Sequence, residues 1–273
     1  MASMWIGPTF SVLEHLCIKS FLDAGHEVWL YTYDHVNNVP EGVIVKDAND
    51  IYPTKTFLVN KEKQAPGAHS DKFRYLLLAQ EDVIWVDTDA YCCKPFPKCE
   101  YLFAKHHKDE LANGVLKLPK NSEALKLLIE LCTDDYPYYS DDVLKHLAAW
   151  GPKKTRKYKN LRAVGTPMHI SEFPWGAWGP FALTYVLNKT GEVTHQVDRE
   201  VLYPVTGAHM RQNTRWPNSA KHKLTIPDTT LSIHFYRSAF MNILMDVCDG
   251  VPRANSLMAE LCIKHEVEPE AFL

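Results

Sequence analysis

Two aspartates one residue apart, Asp87 and Asp89, close an apolar run in "VIWVDTDAYC", residues 83 to 92. Alternate residues of a strand share a face. If the strand stays extended to Asp89, both carboxylates converge on one cation. Unpaired in a half-buried crevice they repel each other and are costly to desolvate, and a divalent metal offsets both costs. Oxygen ligands favour Mg²⁺ or Mn²⁺ over zinc or copper, and such an ion in turn holds phosphate oxygens. Two solvated aspartates in a polar turn are the plainer alternative. Upstream, "HSDKFRYLLL" sets Asp71 and Arg74 one helical turn apart on a shared face. They read either as a surface ion pair or as a carboxylate for sugar hydroxyls beside a planar fork for phosphate.

The elements that must position these groups follow from periodicity. "SMWIG" is a short strand. "PTFSVLEHLCIKSFLDAG" is a helix with Leu13, Leu16, Cys17 and Phe21 on one face, and "HEVWLYTYD" is a second strand. Strand, helix, strand at this spacing predicts a βαβ unit and a parallel sheet. A loop from about Pro40 to Gly67 leads into the helix "HSDKFRYLLLAQ", with Ser70 or Asp71 as its cap, and then into the DTD strand. "EYLFAKHH" and "LANGVLKLP" read as strands, "NSEALKLLIELC" and "GPFALTYVLNKTG" as helices, and "TLSIHFYRSAF" as a late strand. No repeat or flexible linker interrupts the chain, which predicts one α/β domain over residues 1 to 273.

Composition narrows the partners. Net charge is −3 over 273 residues, which gives no electrostatic reason to expect nucleic acid. The seven cysteines, irregularly spaced and without a CxxC pair, read as reduced thiols in a cytoplasmic protein. No signal peptide or membrane span is visible. The basic run "KKTRKYKNLR", residues 153 to 162, reads as a solvated loop, with contact to an anionic membrane surface as the alternative.

The order "MWIGPTFSVLEHLCIKSFLDAGHEVWLYTYD", "SDKFRYLLL", "VIWVDTDAYCCKPF" resembles the DXD-containing glycosyltransferases of family 32. It is also distantly similar to the catalytic domain of the glucosylating bacterial toxins. The resemblance is strong over roughly the first 100 residues and thins through "WGPFALT" and "SIHFYRS". It implies a GT-A fold, a nucleotide-sugar donor with UDP favoured, a divalent metal (usually Mn²⁺) and retention of anomeric configuration. Residues 1–100 would be the donor half and 101–273 the acceptor half. Trp5 matches a base-stacking position, and Ser70, Asp71 and Arg74 match donor-sugar and ribose contacts. Trp85 and Thr88 fall in the same donor-binding set. Asp89 matches the direct metal ligand, and Asp87 a carboxylate that touches ribose or sugar and reaches the metal. His234, in "SIHFYRS", stands either as a third metal ligand or as a packed core histidine.

The chemistry so implied is loss of a diphosphate from the anomeric carbon, with Asp87, Asp89 and Arg74 as the catalytic set. Retention allows a carboxylate nucleophile, for which no specific candidate stands out, or attack by the acceptor on the face the leaving group vacates. The resemblance implies the second route, in which a phosphate oxygen takes the acceptor proton. The acceptor would be a glycan, or a lipid-linked glycan of capsule or lipopolysaccharide synthesis, with a protein as the alternative, met in the cytoplasm or at the inner face of the membrane. Trp175, Trp178 and "TDDYPYYSDD" are candidates for the acceptor side, with core packing or an exposed loop as alternatives. Two rivals stand. A haloacid-dehalogenase-like phosphotransferase would use Asp87 as nucleophile, although Tyr91 replaces the small residue that pattern wants. A non-catalytic nucleotide-sugar-binding module would need no metal.

Overall fold

The computed structural model describes residues 1–147, 152–215 and 224–273. In chain order the strands are β1 (Ala2–Trp5), β2 (Trp29–Thr32), β3 (Ile44–Asp47), β4 (Trp85–Val86), β5 (Ala90–Cys92), β6 (Leu102–His107), β7 (Glu110–Lys117) and β8 (Ser232–His234). The helices are α1 (Val12–Asp23), α2 (Gly67–Gln80), α3 (Glu123–Thr133), α4 (Asp141–Leu147), α5 (Pro152–Ala163), α6 (Ala182–Thr190), α7 (Arg199–Leu202), α8 (Gly207–Arg215), α9 (Arg237–Cys248) and α10 (Leu257–Lys264). The strand order of the main sheet is β3-β2-β1-β4-β7-β6, and β5 and β8 form a second, two-stranded sheet. The expected α/β class holds. No helix among the described residues is long and apolar enough to cross a membrane.

The chain divides into two compact units. The first comprises Met1–Asp47, Val86–Lys98 and Val197–Leu273. It contains the expected βαβ unit: β1 pairs in parallel with β2, Ala2 opposite Trp29 and Trp5 opposite Thr32. Helix α1 starts on a capping box. Ser11 accepts from Leu13 N–H, while Glu14 Oε2 accepts the Ser11 N–H at 2.8 Å. Such a cap contributes about 1 kcal/mol. The buried face of α1 (Leu13, Leu16, Cys17) joins Tyr91, Ile233 and Phe235 in one apolar cluster. Each large side chain so buried contributes roughly 1.5–3 kcal/mol.

The second unit comprises Ala48–Trp85 and Cys99–Gln196. Strands β6 and β7 form an antiparallel hairpin, and α3 starts on Ser122, whose hydroxyl accepts from Leu125 N–H. Gly191, in the left-handed region at φ 78°, stops α6. Phe173, Tyr139 and Trp178 pack ring against ring, and Tyr75 Oη donates to the Trp178 carbonyl at 2.7 Å.

Several expectations change. The supposed loop after Pro40 contains β3, an edge strand whose Ile44 and Val45 are exposed. Its β-branched residues pair with β2 without burying their side chains, so no apolar alternation marked it. The basic run at 153–162 is helical, within α5, and not a loop. Lysine and arginine are good helix formers, and charge alone does not argue against a helix. Ser70 and Asp71 do not cap α2: it begins at Gly67 behind Pro66, which makes no side-chain cap, so both lie inside the helix. None of the seven cysteines is joined in a disulfide.

Candidate active site

The DTD strand ends sooner than its apolar run suggests. Strand β4 stops at Val86, and the chain turns through Asp87 to Asp89, with Ala90 N–H returning to the Asp87 carbonyl at 2.9 Å. The carboxylates therefore do not converge by strand alternation, as expected from the sequence. They converge across a turn, and β5 begins immediately after it. That strand pairs antiparallel with β8, setting Ala90 opposite His234. Phe235 N–H donates to the Asp89 carbonyl at 2.9 Å, extending the pairing by one bond.

The pairing carries His234 to the two carboxylates. One ligand atom from each of Asp87, Asp89 and His234 lies within 4.8 Å of the others, and His234 Nε2 is 3.6 Å from Asp89 Oδ2. Thr88 and Asp89 are buried. Asp89 Oδ2 also accepts the Arg237 backbone N–H at 2.7 Å, which fixes the carboxylate's direction. The Arg237 side chain in turn pairs through Nε with Glu14 Oε1 at 2.6 Å, and the Glu14 carboxylate is fully buried. A chain of contacts thus runs from Ser11 through Glu14 and Arg237 to Asp89.

Trp5 lies on the same chain. The Arg237 guanidinium carbon is 5.2 Å from its ring centroid, and Phe10 meets the ring edge-on at 5.3 Å. Gly7 follows at φ 150°, and a Cβ there would come within 3.1 Å of the indole Nε1. The glycine of "WIG" is therefore favoured by its backbone conformation, and any Cβ would press on the indole.

Ser70, Asp71, Arg74 and Trp85 belong to the second unit and form a group of their own. Asp71 Oδ1 accepts from Asn113 Nδ2 at 2.8 Å and lies 3.5 Å from Arg74 Nη2. Arg74 donates through Nη1 to the Asn113 carbonyl and through Nη2 to Ser70 Oγ at 3.1 Å. Its guanidinium lies 4.7 Å from the Trp85 ring centroid. The Arg74 fork is thus engaged by the protein, and it positions Asp71. Trp85 is a core side chain, 1% exposed. Gly179 closes against this group: a Cβ there would stand 2.8 Å from Asn113 Nδ2 and 2.9 Å from Asp71 Oδ1. Of the acceptor-side candidates, Trp178 is buried in the core, whereas Trp175, Tyr136 and Tyr138 are exposed.

Sequence reasoning missed Glu14, Asn113, Gly179 and Arg237. The Ser-x-x-Glu spacing of Ser11 and Glu14 marks the cap. Nothing local marks Asn113, Gly179 or Arg237, because each acts on a residue distant in the chain.

The donor set fits a hard divalent cation. Two carboxylate oxygens and an imidazole nitrogen could hold a divalent metal ion, and His234 Nδ1 is buried without a hydrogen-bond partner.

No family model matches the chain, and no curated protein matches it. Among solved structures, one named "PaToxG Glycosyltransferase" is similar to this chain at a TM-score of 0.43 and 13% identity, over 71% of this chain and 72% of that one.

Proposed function

We propose that the protein is a metal-dependent retaining glycosyltransferase of GT-A type that moves a sugar from a nucleotide diphosphate, UDP favoured, to a glycan acceptor. The observation that carries this reading is the meeting of Asp87, Asp89 and His234 at the turn after β4. Two segments far apart in sequence supply oxygen and nitrogen ligands to one point, and Asp89 is held there by a backbone donor. Solvated turn aspartates would need neither. The three residues would hold Mn²⁺ or Mg²⁺, which when bound stabilises the negative charge on the departing diphosphate.

The other candidate residues have separable tasks. Trp5 offers its ring to the base, and its buried Nε1 is an unused donor. Asp71, oriented by Asn113 and Arg74, accepts hydrogen bonds from sugar hydroxyls. The acceptor hydroxyl attacks on the face the diphosphate leaves and gives its proton to an oxygen of the departing phosphate, so no protein base is required.

The test is a screen of nucleotide sugars for Mn²⁺-dependent hydrolysis, alongside Mn²⁺ binding followed by electron paramagnetic resonance. Asp89→Asn should weaken Mn²⁺ binding and lower hydrolysis by roughly 10²-fold or more. Unchanged Mn²⁺ binding in Asp89→Asn would sink the proposal. Phosphatase activity without nucleotide-sugar hydrolysis would move the assignment to Asp87 as a phosphotransfer nucleophile.

A further inference from the structure

Among the described residues, the buried side-chain nitrogens that make no hydrogen bond are Trp5 Nε1, His234 Nδ1, and Nε and Nη2 of Arg199. All belong to the first unit. Buried polar atoms are almost always paired, and an orphaned guanidinium is the costliest of them to leave so. Trp5 and His234 already belong to the candidate site. Arg199 has been given no task.

The backbone ties α7, which starts at Arg199, to the strand that carries His234. Helix α7 lies along the edge of β8. Leu231 N–H donates to the Val201 carbonyl at 2.7 Å, Thr230 Oγ1 to the Glu200 carbonyl at 2.8 Å, and Ser232 Oγ to the Leu202 carbonyl at 3.0 Å. Tyr203 meets the His234 ring edge-on at 5.9 Å. Tyr236 meets it from another side at 4.7 Å and donates its hydroxyl to the Val205 carbonyl. Tyr203 N–H donates to the Arg199 carbonyl at 2.7 Å, so Arg199 lies one helical turn before the ring that meets His234. Tyr236 itself stands in the left-handed region at φ 54°, a strained conformation for a tyrosine, kept between His234 and Arg237.

We infer that Arg199 is a diphosphate-binding residue, its Nε and Nη2 forming a fork for phosphate oxygens beside the Asp87–Asp89–His234 trio. This rests on the glycosyltransferase reading for the identity of the anion. It adds a positive partner on the protein's side, so that the leaving group's charge is shared between cation and guanidinium. A planar, permanently charged fork matches phosphate geometry in two parallel bonds, and a lysine does not.

The experiment uses the full chain, inorganic pyrophosphate as the anion and Mn²⁺ as the metal, with Arg199→Gln and Arg199→Lys. Pyrophosphate affinity is read by calorimetry, Mn²⁺ affinity by paramagnetic resonance, and stability by thermal unfolding. Arg199→Gln should weaken pyrophosphate binding roughly 10- to 100-fold, the loss of charge-assisted hydrogen bonds, with Mn²⁺ affinity unchanged. Arg199→Lys should lose less. The Gln variant should unfold no earlier than wild type, because it removes an uncompensated charge. Unchanged pyrophosphate affinity in a folded Gln variant overturns the inference, as does a wild-type protein that fails to bind pyrophosphate at all. Should the Gln variant not fold, wild-type affinity in Arg199→Lys overturns it instead. Pyrophosphate binding that needs no Mn²⁺ but is lost in Arg199→Gln would keep Arg199 and discard the metal reading.

Discussion

Asp89 carries two demands on one oxygen: Oδ2 accepts the Arg237 N–H at 2.7 Å and stands 3.6 Å from His234 Nε2. The Arg237 donor is main chain, so it survives replacement of the side chain. The Arg237 side chain does different work, neutralising a Glu14 carboxylate that is fully buried while remaining partly exposed itself. Binding and stability should therefore separate between neighbours. Arg237→Ala should destabilise the fold by about 1–3 kcal/mol, since it leaves a buried carboxylate without its cation, although Ser11 still donates to Glu14. Its Mn²⁺ affinity should stay near wild type. Denaturant unfolding and Mn²⁺ titration on the same sample check both parts, and a variant that lost Mn²⁺ at unchanged stability would reverse the assignment.

At the scale of elements, the second unit places Asp71 by bringing α2, β7 and the turn before α6 together. Asn113 on β7 donates to Asp71 on α2, and Gly179 leaves the space both need. Gly179→Ala would drive a methyl to 2.9 Å from the Asp71 oxygen, so the Asp71–Asn113 bond must shift. Overpacking of this kind costs about 1–3 kcal/mol. We expect Gly179→Ala to lower the unfolding midpoint and to slow nucleotide-sugar hydrolysis while leaving Mn²⁺ affinity intact, because the metal trio belongs to the other unit. Hydrolysis at the wild-type rate would remove Asp71 from the donor contacts. The exchange of Ser70 and Asp71 from cap to helix interior has the same origin. Their spacing with Arg74 was legible, but their partner on β7 was not.

For the molecule as a whole, buried titratable groups set how stability depends on pH. His69 is completely buried in the second unit, its Nδ1 accepting from Leu58 N–H at 3.4 Å and its ring set between Tyr52 and Phe57. Burial, helped by the Lys72 charge, lowers its pKa from 6.5 to about 4. The unfolded chain thus binds this proton more readily than the folded one. Stability is full above pH 6.5 and falls as pH drops toward 4, by up to about 3 kcal/mol. Urea midpoints at pH 7.5, 5.5 and 4.5 should decline in that order, and His69→Phe should flatten the decline. An unaltered slope in His69→Phe would assign the acid sensitivity to other groups.

What the sequence determined by itself is local. Apolar periodicity placed α1, α2, α3 and α6, the Ser11–Glu14 spacing coded a cap, and the apolar run into Asp87 and Asp89 marked the end of a strand. These rest on interactions within a turn or two, so the order of residues contains them. Tertiary structure decided what those carboxylates meet. Strand β8 brings His234 beside Asp89, α7 packs along β8, and β7 brings Asn113 to Asp71. Each of these depends on pairings between segments far apart in the chain, whose register is set by burying a shared core and not by the spacing of any one segment.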